Sequence, residues 1–400
     1  VLHDGRVLAV VPDKVRLPPG PDGLLEASTI PFNPPAFGLT VLASSHGFDP
    51  HGRTTGFVLW VGHRGGLVDP PVDATEDLRG KVGTKVVDSV ILTHCHADHD
   101  AGTFQKILEE GRITLYTTPT ILGSFLRKYS ALSGISEDML RRTFQFHAVK
   151  IGEPLPVHGG EVRFFYTLHS IPTLGFEALY GGKSLAFSSD TLYDPDKIRE
   201  MHAEGVVGTK RAQDLMSFPW YDDLVVHEAG VPPLHTPMKV LAGLPGDVKE
   251  RLWLVHTTEE VVPKDSGLRI AREGLYNSLR LQVAEPKHAE ATSILEAFCM
   301  VDLFRDFPIG RASEVLRFAR LEKYAKKTRI IQQGTPGRTF YVIVSGIAAV
   351  VQEGSETKTY QAGDYFGETA LVLEEPRNAD VVAKTNVGLL AFDRRDFLYL

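Results

Sequence analysis

Three histidines and three acidic or reactive neighbours crowd one short stretch, His94-Cys95-His96-Ala97-Asp98-His99-Asp100. It follows directly on an apolar run, Val86-Val87 and Val90-Ile91-Leu92, that reads as a buried strand. A strand ending in a turn projects its last side chains into the crevice at the sheet edge, where α/β proteins bind ligands. Neutral imidazoles and carboxylates gathered there are ligands for a first-row metal, with zinc the default for a nitrogen/oxygen set. Other apolar runs end the same way. Residues 162–168 end in His169, 184–189 in Asp190, 223–226 in His227-Glu228 and 252–255 in His256. One histidine after a strand is unremarkable, but this repetition points to one shared centre. His46 and His51 lie in a polar loop between expected strands at 39–43 and 56–61, and loop histidines are more often solvated than liganding.

The elements that must position these groups need room. A chain of 400 residues exceeds one ordinary core, so two domains are expected. A hydrophobic fraction of 43% suits a globular chain, and a formal net charge of −7 argues against nucleic acid as the main partner. The two cysteines, Cys95 and Cys299, have no metal-like spacing, so a reducing, cytoplasmic setting is expected. Asp4, Arg6, Asp13 and Lys14 interrupt the N-terminal stretch, which has no signal-peptide core, and no run of about eighteen apolar residues suggests a membrane span.

The pattern His-x-His-x-Asp-His, here His94, His96, Asp98 and His99, resembles that of the metallo-β-lactamase superfamily. The resemblance implies an α/β fold, an αββα sandwich over residues 1–283. It implies a first metal site of His94, His96 and His169, a second of Asp98, His99 and His256, and Asp190 bridging the two. The cofactors would be two divalent metal ions, zinc first, with manganese or iron as alternatives. Asp69, at the end of an apolar strand, would support the metal loop by holding a ligand histidine. Two such cations can hold a hydroxide at neutral pH and offset charge on the attacked group.

Within the superfamily, the stretch His169 to Phe176 and the run His227-Glu228-Ala229-Gly230 look like motifs of the tRNase Z phosphodiesterase group. That likeness makes His227 the expected proton donor, assisted by Asp98 or Glu228, since an imidazole titrates near neutrality. Departures are visible. Only residues 170–189 separate His169 from Asp190, which leaves no room for a tRNA-gripping arm; Thr257-Thr258 and Gly230 also break the pattern. A small phosphodiester, a cyclic nucleotide among the candidates, is therefore the expected substrate. Residues 194–217, with Lys197, Arg199, Lys210 and Arg211, read as a solvated helical face. A thioester or lactone hydrolase of the same fold is the alternative that only His227-Glu228-Ala229 opposes.

Composition shifts at Glu285-Pro286. An amphipathic run with Ile294, Leu295, Phe298 and Phe304 reads as a linking helix over 284–310, and a second helical pattern covers 315–321. Short strands at 328–331, 340–344 and 347–351 suggest a β-roll over 311–400. Gly367 and the helix start after it offer backbone N–H groups to an anion. Arg377 can pair with a phosphate, and Glu368 can accept from a ribose hydroxyl. Phe366-Gly367-Glu368-Thr369-Ala370-Leu371 followed by Pro376-Arg377-Asn378-Ala379 is similar to the phosphate-binding cassette of cyclic nucleotide-binding domains. The resemblance implies binding through Phe366, Gly367, Glu368, Thr369, Ala370, Arg377, Asn378 and Ala379.

The absent hydroxyl beside Arg377 favours cyclic AMP over cyclic GMP. Asp380 is expected to place negative charge near the ligand. The closing helix is expected to be truncated at Leu400. The combined reading is a dinuclear metal-dependent phosphodiesterase regulated by cyclic nucleotide. A non-enzymatic cyclic-nucleotide sensor is the other alternative, and homo-oligomerisation is left open.

Overall fold

The structure is a computed structural model that describes residues 2–3, 6–7, 32–78, 81–82, 86–110, 113–284, 291, 294–295, 297–298, 301, 304, 312–352, 354–369 and 375–399. The chain parts into Val1–Pro31, of which the pairing of β1 (Leu2–His3) with β2 (Arg6–Val7) is described, and Phe32–Leu400. Ala370, Cys299 and much of 284–310 lie outside the described residues.

Two mixed sheets build the N-terminal α/β region. The first holds β3 (Phe37–Ala43), β4 (Gly56–Val61), β5 (Arg64–Val68), β6 (Val87–Ile91), β7 (Thr114–Thr117) and β8 (Gln145–Ala148), with β15 (Leu279–Arg280) added beside β3. The second runs β14 (Leu252–Val255), β13 (Leu224–Glu228), β12 (Lys183–Phe187), β11 (Leu174–Tyr180), β10 (Gly160–Tyr166), β9 (Pro154–Val157). Every residue of β3 and β4 is buried, as expected of near-continuous apolar runs covered on both faces. The sheets meet through a single apolar core, in which Phe57 of β4 meets Phe187 of β12 edge-to-face at 4.8 Å.

The strand pairs β5–β6, β6–β7 and β7–β8 are parallel, as are β12–β13 and β13–β14. Parallel neighbours need crossovers, which are helical here. The helices are α1 (Ala74–Leu78), α2 (Ala97–Glu110), α3 (Pro119–Ser133), α4 (Glu137–Arg141), α5 (Pro195–Ala203), α6 (Thr209–Met216), α7 (Met238–Ala242) and α8 (Gly246–Lys249). The sequence shows why α3 has these limits. Thr118 caps it, proline takes its first position, and Gly134 ends it with φ 74°. Its buried stripe is Ile121, Leu122, Phe125, Leu126 and Tyr129. This is the expected αββα arrangement. Because β5, β6, β12, β13 and β14 run in register as parallel groups, the residues that follow their last positions emerge together.

The C-terminal region forms two four-stranded sheets. One is β16 (Arg320–Tyr324), β23 (Val387–Asp393), β18 (Thr339–Ser345) and β21 (Tyr365–Phe366). The other is β17 (Arg329–Ile331), β22 (Asp380–Ala383), β19 (Ala348–Gln352) and β20 (Ser355–Tyr360). The helical pattern expected over 315–321 stops early. The helix Ala312–Phe318 ends, and Leu321 pairs with Leu390 as part of a strand. From Arg320 to Tyr324 the chain pairs residue by residue with Ala391 to Val387, which a helix could not do. The run expected to link the domains packs into the roll itself: Ile294, Ala297, Phe298, Val301 and Phe304 share a core with Phe340, Val342, Leu390 and Phe392.

Candidate functional site

Asp190 sits at the centre of the expected constellation. Its Oδ2 lies 3.6 Å from His94 Nε2, 3.4 Å from His99 Nε2 and 3.8 Å from His169 Nε2, and its Oδ1 lies 3.8 Å from His256 Nδ1. Ligand atoms of His94, His96, His169 and Asp190 all fall within 4.8 Å of one another. So do those of Asp98, His99 and His256. Both half-sites implied by the resemblance are therefore assembled, with one carboxylate between them.

The local chain explains the assembly. His94 and His96 occupy the turn after β6, while Asp98 and His99 open α2. Asp69, Ser189 and His256 follow β5, β12 and β14 with φ of 42°, 49° and 58°. Non-glycine residues held in the left-handed region cluster where function requires a particular side-chain direction.

The hydrogen bonds fix the histidine tautomers. Thr93 donates its hydroxyl hydrogen to Asp69 Oδ2 and its backbone N–H to Asp69 Oδ1 at 2.8 Å. With that hydrogen committed, Thr93 Oγ1 accepts from Ser189 Oγ at 2.8 Å and from His94 Nδ1 at 2.9 Å. His99 Nδ1 donates to Asp69 Oδ2 at 3.1 Å. Both rings thus carry a proton on Nδ1 and turn Nε2 toward Asp190. Those two Nε2 atoms are buried and have no hydrogen-bond partner, as do Nδ1 of His169 and of His256. Buried polar atoms are rarely left so. Nitrogen and oxygen lone pairs directed at one another around a carboxylate fit a pair of divalent cations. The expectation for Asp69 is met: it anchors His99 directly and His94 through Thr93.

Burial and neighbouring histidines hold His94 well below the usual imidazole range, and burial lowers His96 and His169. These three remain neutral, which is the liganding form. Burial opposes protonation of His99 as well, but Asp190 and Asp69 outweigh it and raise that ring. Asp190 is held well below the usual carboxylate range against its burial, chiefly by His99 and His256. Cys95 takes no part. Its thiol donates to Ile121 O at 3.4 Å, and burial pushes it up to about 12.

The expectation for His227 needs correction. Along β13 alternate side chains face opposite ways, so His227 and Glu228 cannot both face the centre. Glu228 does, and His227 points into an aromatic box, stacked on Trp220 at 5.1 Å with Phe218 and Tyr193 beside it. It is fully buried, and its Nδ1 bonds to Glu228 O at 2.6 Å. The histidine that Glu228 holds is His235, whose Nδ1 lies 2.9 Å from Glu228 Oε2. Glu228 also accepts from Gly230 N and Thr236 N, at 2.7 and 2.8 Å. The His235 ring stands 5.0 Å from that of His256 and 5.4 Å from that of His169. Burial depresses His235, but Glu228 more than compensates and raises it. Sequence reasoning missed this residue because it follows a proline-rich loop rather than an apolar run.

His46 approaches the centre, its ring 6.2 Å from that of His256, while His51 is exposed. The solvated helical face is half right. Lys197 and Arg199 pair with Glu200 and Asp196 along α5. Arg211 turns inward instead and donates to Tyr166 O at 3.0 Å and Thr167 O at 2.8 Å, bracing the segment that delivers His169.

In the roll, Gly367 adopts φ 90°. Arg377 is buried and donates to Gly367 O at 3.1 Å and to Thr339 O at 2.6 Å. A Cβ on Gly367 would lie 2.6 Å from the Arg377 guanidinium, so only glycine admits this approach. Phe366 is buried between Tyr341 and Tyr360, and Ala379 is buried; Glu368, Thr369 and Asn378 are exposed at the rim. Asp380 corrects its expectation. Its Oδ1 accepts from Gln333 N at 2.7 Å and its Oδ2 lies 3.4 Å from Arg329 Nε, so its charge is already engaged.

Residues 37–274 match the family model described as Anti-Pycsar protein Apyc1, and residues 321–400 match the cyclic nucleotide-binding domain. The cGMP-dependent 3′,5′-cGMP phosphodiesterase A of Dictyostelium discoideum is 50% identical over 397 residues, covering 98% of this chain and 45% of that protein. The cAMP/cGMP-dependent 3′,5′-cAMP/cGMP phosphodiesterase B of the same organism is 34% identical over 402 residues, covering 91% of this chain and 37% of that protein. The metallo-β-lactamase fold protein YhfI from Bacillus subtilis superimposes with TM-score 0.44 at 18% identity, over 60% of this chain and 97% of that one. The chain spans less than half the length of the two curated relatives.

Proposed function

The chain belongs to the Anti-Pycsar protein Apyc1 family, and from that premise we propose that it is a metal-dependent phosphodiesterase that opens a 3′,5′-cyclic nucleotide and answers to cyclic nucleotide bound at its C-terminal roll. The observation that carries the reading is the placement of Asp190 Oδ2 within 3.8 Å of the Nε2 atoms of His94 and His169 on one side and of His99 on the other. The names of the two Dictyostelium discoideum relatives support the substrate class.

His94, His96 and His169 would hold one divalent cation and Asp98, His99 and His256 the other, with Asp190 shared. The nitrogen-rich donor set supports zinc. Such a pair supplies an activated water and offsets the charge that builds on the phosphate. The chain's own groups supply the rest. Asp69 and Thr93 keep the proton of His99 and His94 on Nδ1, so both rings face inward. When the phosphodiester bond breaks, the departing ribose oxygen takes a proton from His235, and Glu228 holds that ring in place through Nδ1. The aromatic box around His227 shapes the strand that carries Glu228.

At the roll, the missing hydroxyl at position 378 supports cyclic AMP, whereas the first relative is named for cGMP. Titration of both nucleotides decides between them. The enzymatic reading is tested on zinc-loaded protein with cyclic GMP, cyclic AMP, a chromogenic phosphodiester and a thioester side by side. Turnover of a cyclic nucleotide to the 5′-mononucleotide, abolished by chelation, is the expected result. Thioester turnover with every phosphodiester untouched would replace it with the acyl-hydrolase alternative.

A further inference from the structure

Phe48 is 82% exposed, the most exposed of the large hydrophobic side chains among the described residues. Its place in the chain makes that unusual. The preceding residue, Gly47, runs so close to the metal centre that a Cβ there would lie 2.5 Å from Asp98 Oδ2. His46, one residue earlier, faces the ring of His256. The loop therefore arches over the second half-site and ends in a bare aromatic ring.

The arch is rigidly tied. Phe48 N donates to His46 Nδ1 at 3.1 Å, and Asp49 N to His46 O at 3.0 Å. Asp49 accepts from Ser45 Oγ at 2.7 Å and from His51 N at 2.9 Å. Thr257 N, beside His256, donates to Ser44 O at 3.1 Å. The loop after β13 that delivers His235 also exposes apolar side chains, Val231 and Leu234. Two loops that carry site residues thus both present apolar surface to solvent.

We propose that Phe48 is a specificity-determining residue that stacks on the base of the cyclic nucleotide being hydrolysed. This rests on the phosphodiesterase reading above and names the substrate feature that reading leaves open. A phosphate held by cations at Asp98 and Asp190 would leave its sugar and base to extend past Gly47, which lies against Asp98. A flat, apolar purine then meets the one flat, apolar side chain that the arch holds at that height. A pre-ordered ring costs little entropy on binding.

The test compares Phe48→Ala, Phe48→Leu and Phe48→Trp in the metal-loaded chain. An exposed ring contributes little to the core, so all three should fold with an unshifted melting temperature. Phe48→Ala should raise KM for the cyclic nucleotide about tenfold, toward the low end of the roughly 5- to 150-fold carried by stacking on one base. The change in kcat should be smaller than that in KM. Phe48→Trp should restore KM, and Phe48→Leu, apolar but not flat, should not. Unchanged KM in Phe48→Ala, or full rescue by leucine, overturns the assignment while leaving the phosphodiesterase reading intact. A wild-type chain that turns over no cyclic nucleotide overturns that reading itself, and the assignment with it.

Discussion

His94 and Arg377 are both buried, one in the N-terminal α/β region and one in the roll, but their polar ends have opposite surroundings. His94 Nε2 has no hydrogen-bond partner and faces the lone pairs of Asp190, with His99 Nε2 in the same condition. Arg377 has carbonyl partners for both terminal nitrogens, Gly367 O and Thr339 O. The first arrangement is a set of mutually repelling acceptors that is satisfied only with positive charge among them. The second is a cation with one donor of each terminal nitrogen committed to a carbonyl, which holds the cassette in shape while presenting its charge. Affinity at the first site comes from what the fold leaves unpaired. Affinity at the second must come from adding to, or exchanging, bonds that already exist.

Breaking the shared carboxylate should have the largest consequence. Asp190→Ala removes the group common to both half-sites, so phosphodiester turnover should fall to background and bound metal, measured on dialysed protein, should fall with it. Retention of full metal content would show that the two half-sites do not depend on Asp190. Next comes the choice between two histidines. His235→Ala should lower kcat by about 10²–10⁴, the usual contribution of a positioned acid, with metal content maintained. His227→Phe should keep kcat within a few-fold, because a phenyl ring fits the box of Trp220, Phe218 and Tyr193. The reverse pattern would return the donor role to His227.

These two histidines also show where the sequence is legible and where it is not. His94, His96, Asp98, His99, His169, Asp190 and His256 each follow an apolar strand within a few residues, so local pattern marks them, and the fold brings their strand ends to one edge. Asp69 is legible for the same reason. His235 is not, since six residues of loop separate it from Glu228 and no periodicity points to it. The face of a strand decides the matter: once β13 turns Glu228 inward, His227 must turn outward, and the bound partner of Glu228 becomes the informative residue. Leu321 fails differently. An apolar residue there suits either a helix or a strand, and its pairing with Leu390, a long-range contact, settles it.

A smaller effect is expected at the roll. Arg377→Ala removes a charged donor pair from the cassette. Cyclic nucleotide affinity should fall roughly 10- to 150-fold, as for ~1.5–3 kcal/mol of charge-assisted hydrogen bonding. Calorimetry in an Asp190→Ala background separates this site from turnover. A wild-type affinity in that protein would mean that the backbone N–H groups after Gly367 carry the phosphate alone.

Asp222 sharpens the comparison from inside the N-terminal α/β region, because it too has a buried, unpartnered oxygen, Oδ2, yet among the described residues it joins no cluster of metal-competent side chains. Burial raises its carboxyl to about 7, with Glu177 and Asp223 adding to the rise and Ser184 and Arg251 opposing it. Here a proton, not a cation, meets the need. The sign follows. The folded chain keeps a proton that the unfolded chain, at the ordinary value of 3.8, has already released. Stability should therefore decline as pH rises from about 4 to about 7 and level off above. Solvent relaxation around the group leaves about 1–2 kcal/mol of this, or roughly 2–8 °C in melting temperature. Asp222→Asn should remove the decline, so that the variant gains on wild type at pH 8 and not at pH 4. An identical pH profile in the two proteins would mean that Asp222 is ionised in the fold, and that an orphaned buried oxygen here marks neither proton nor metal.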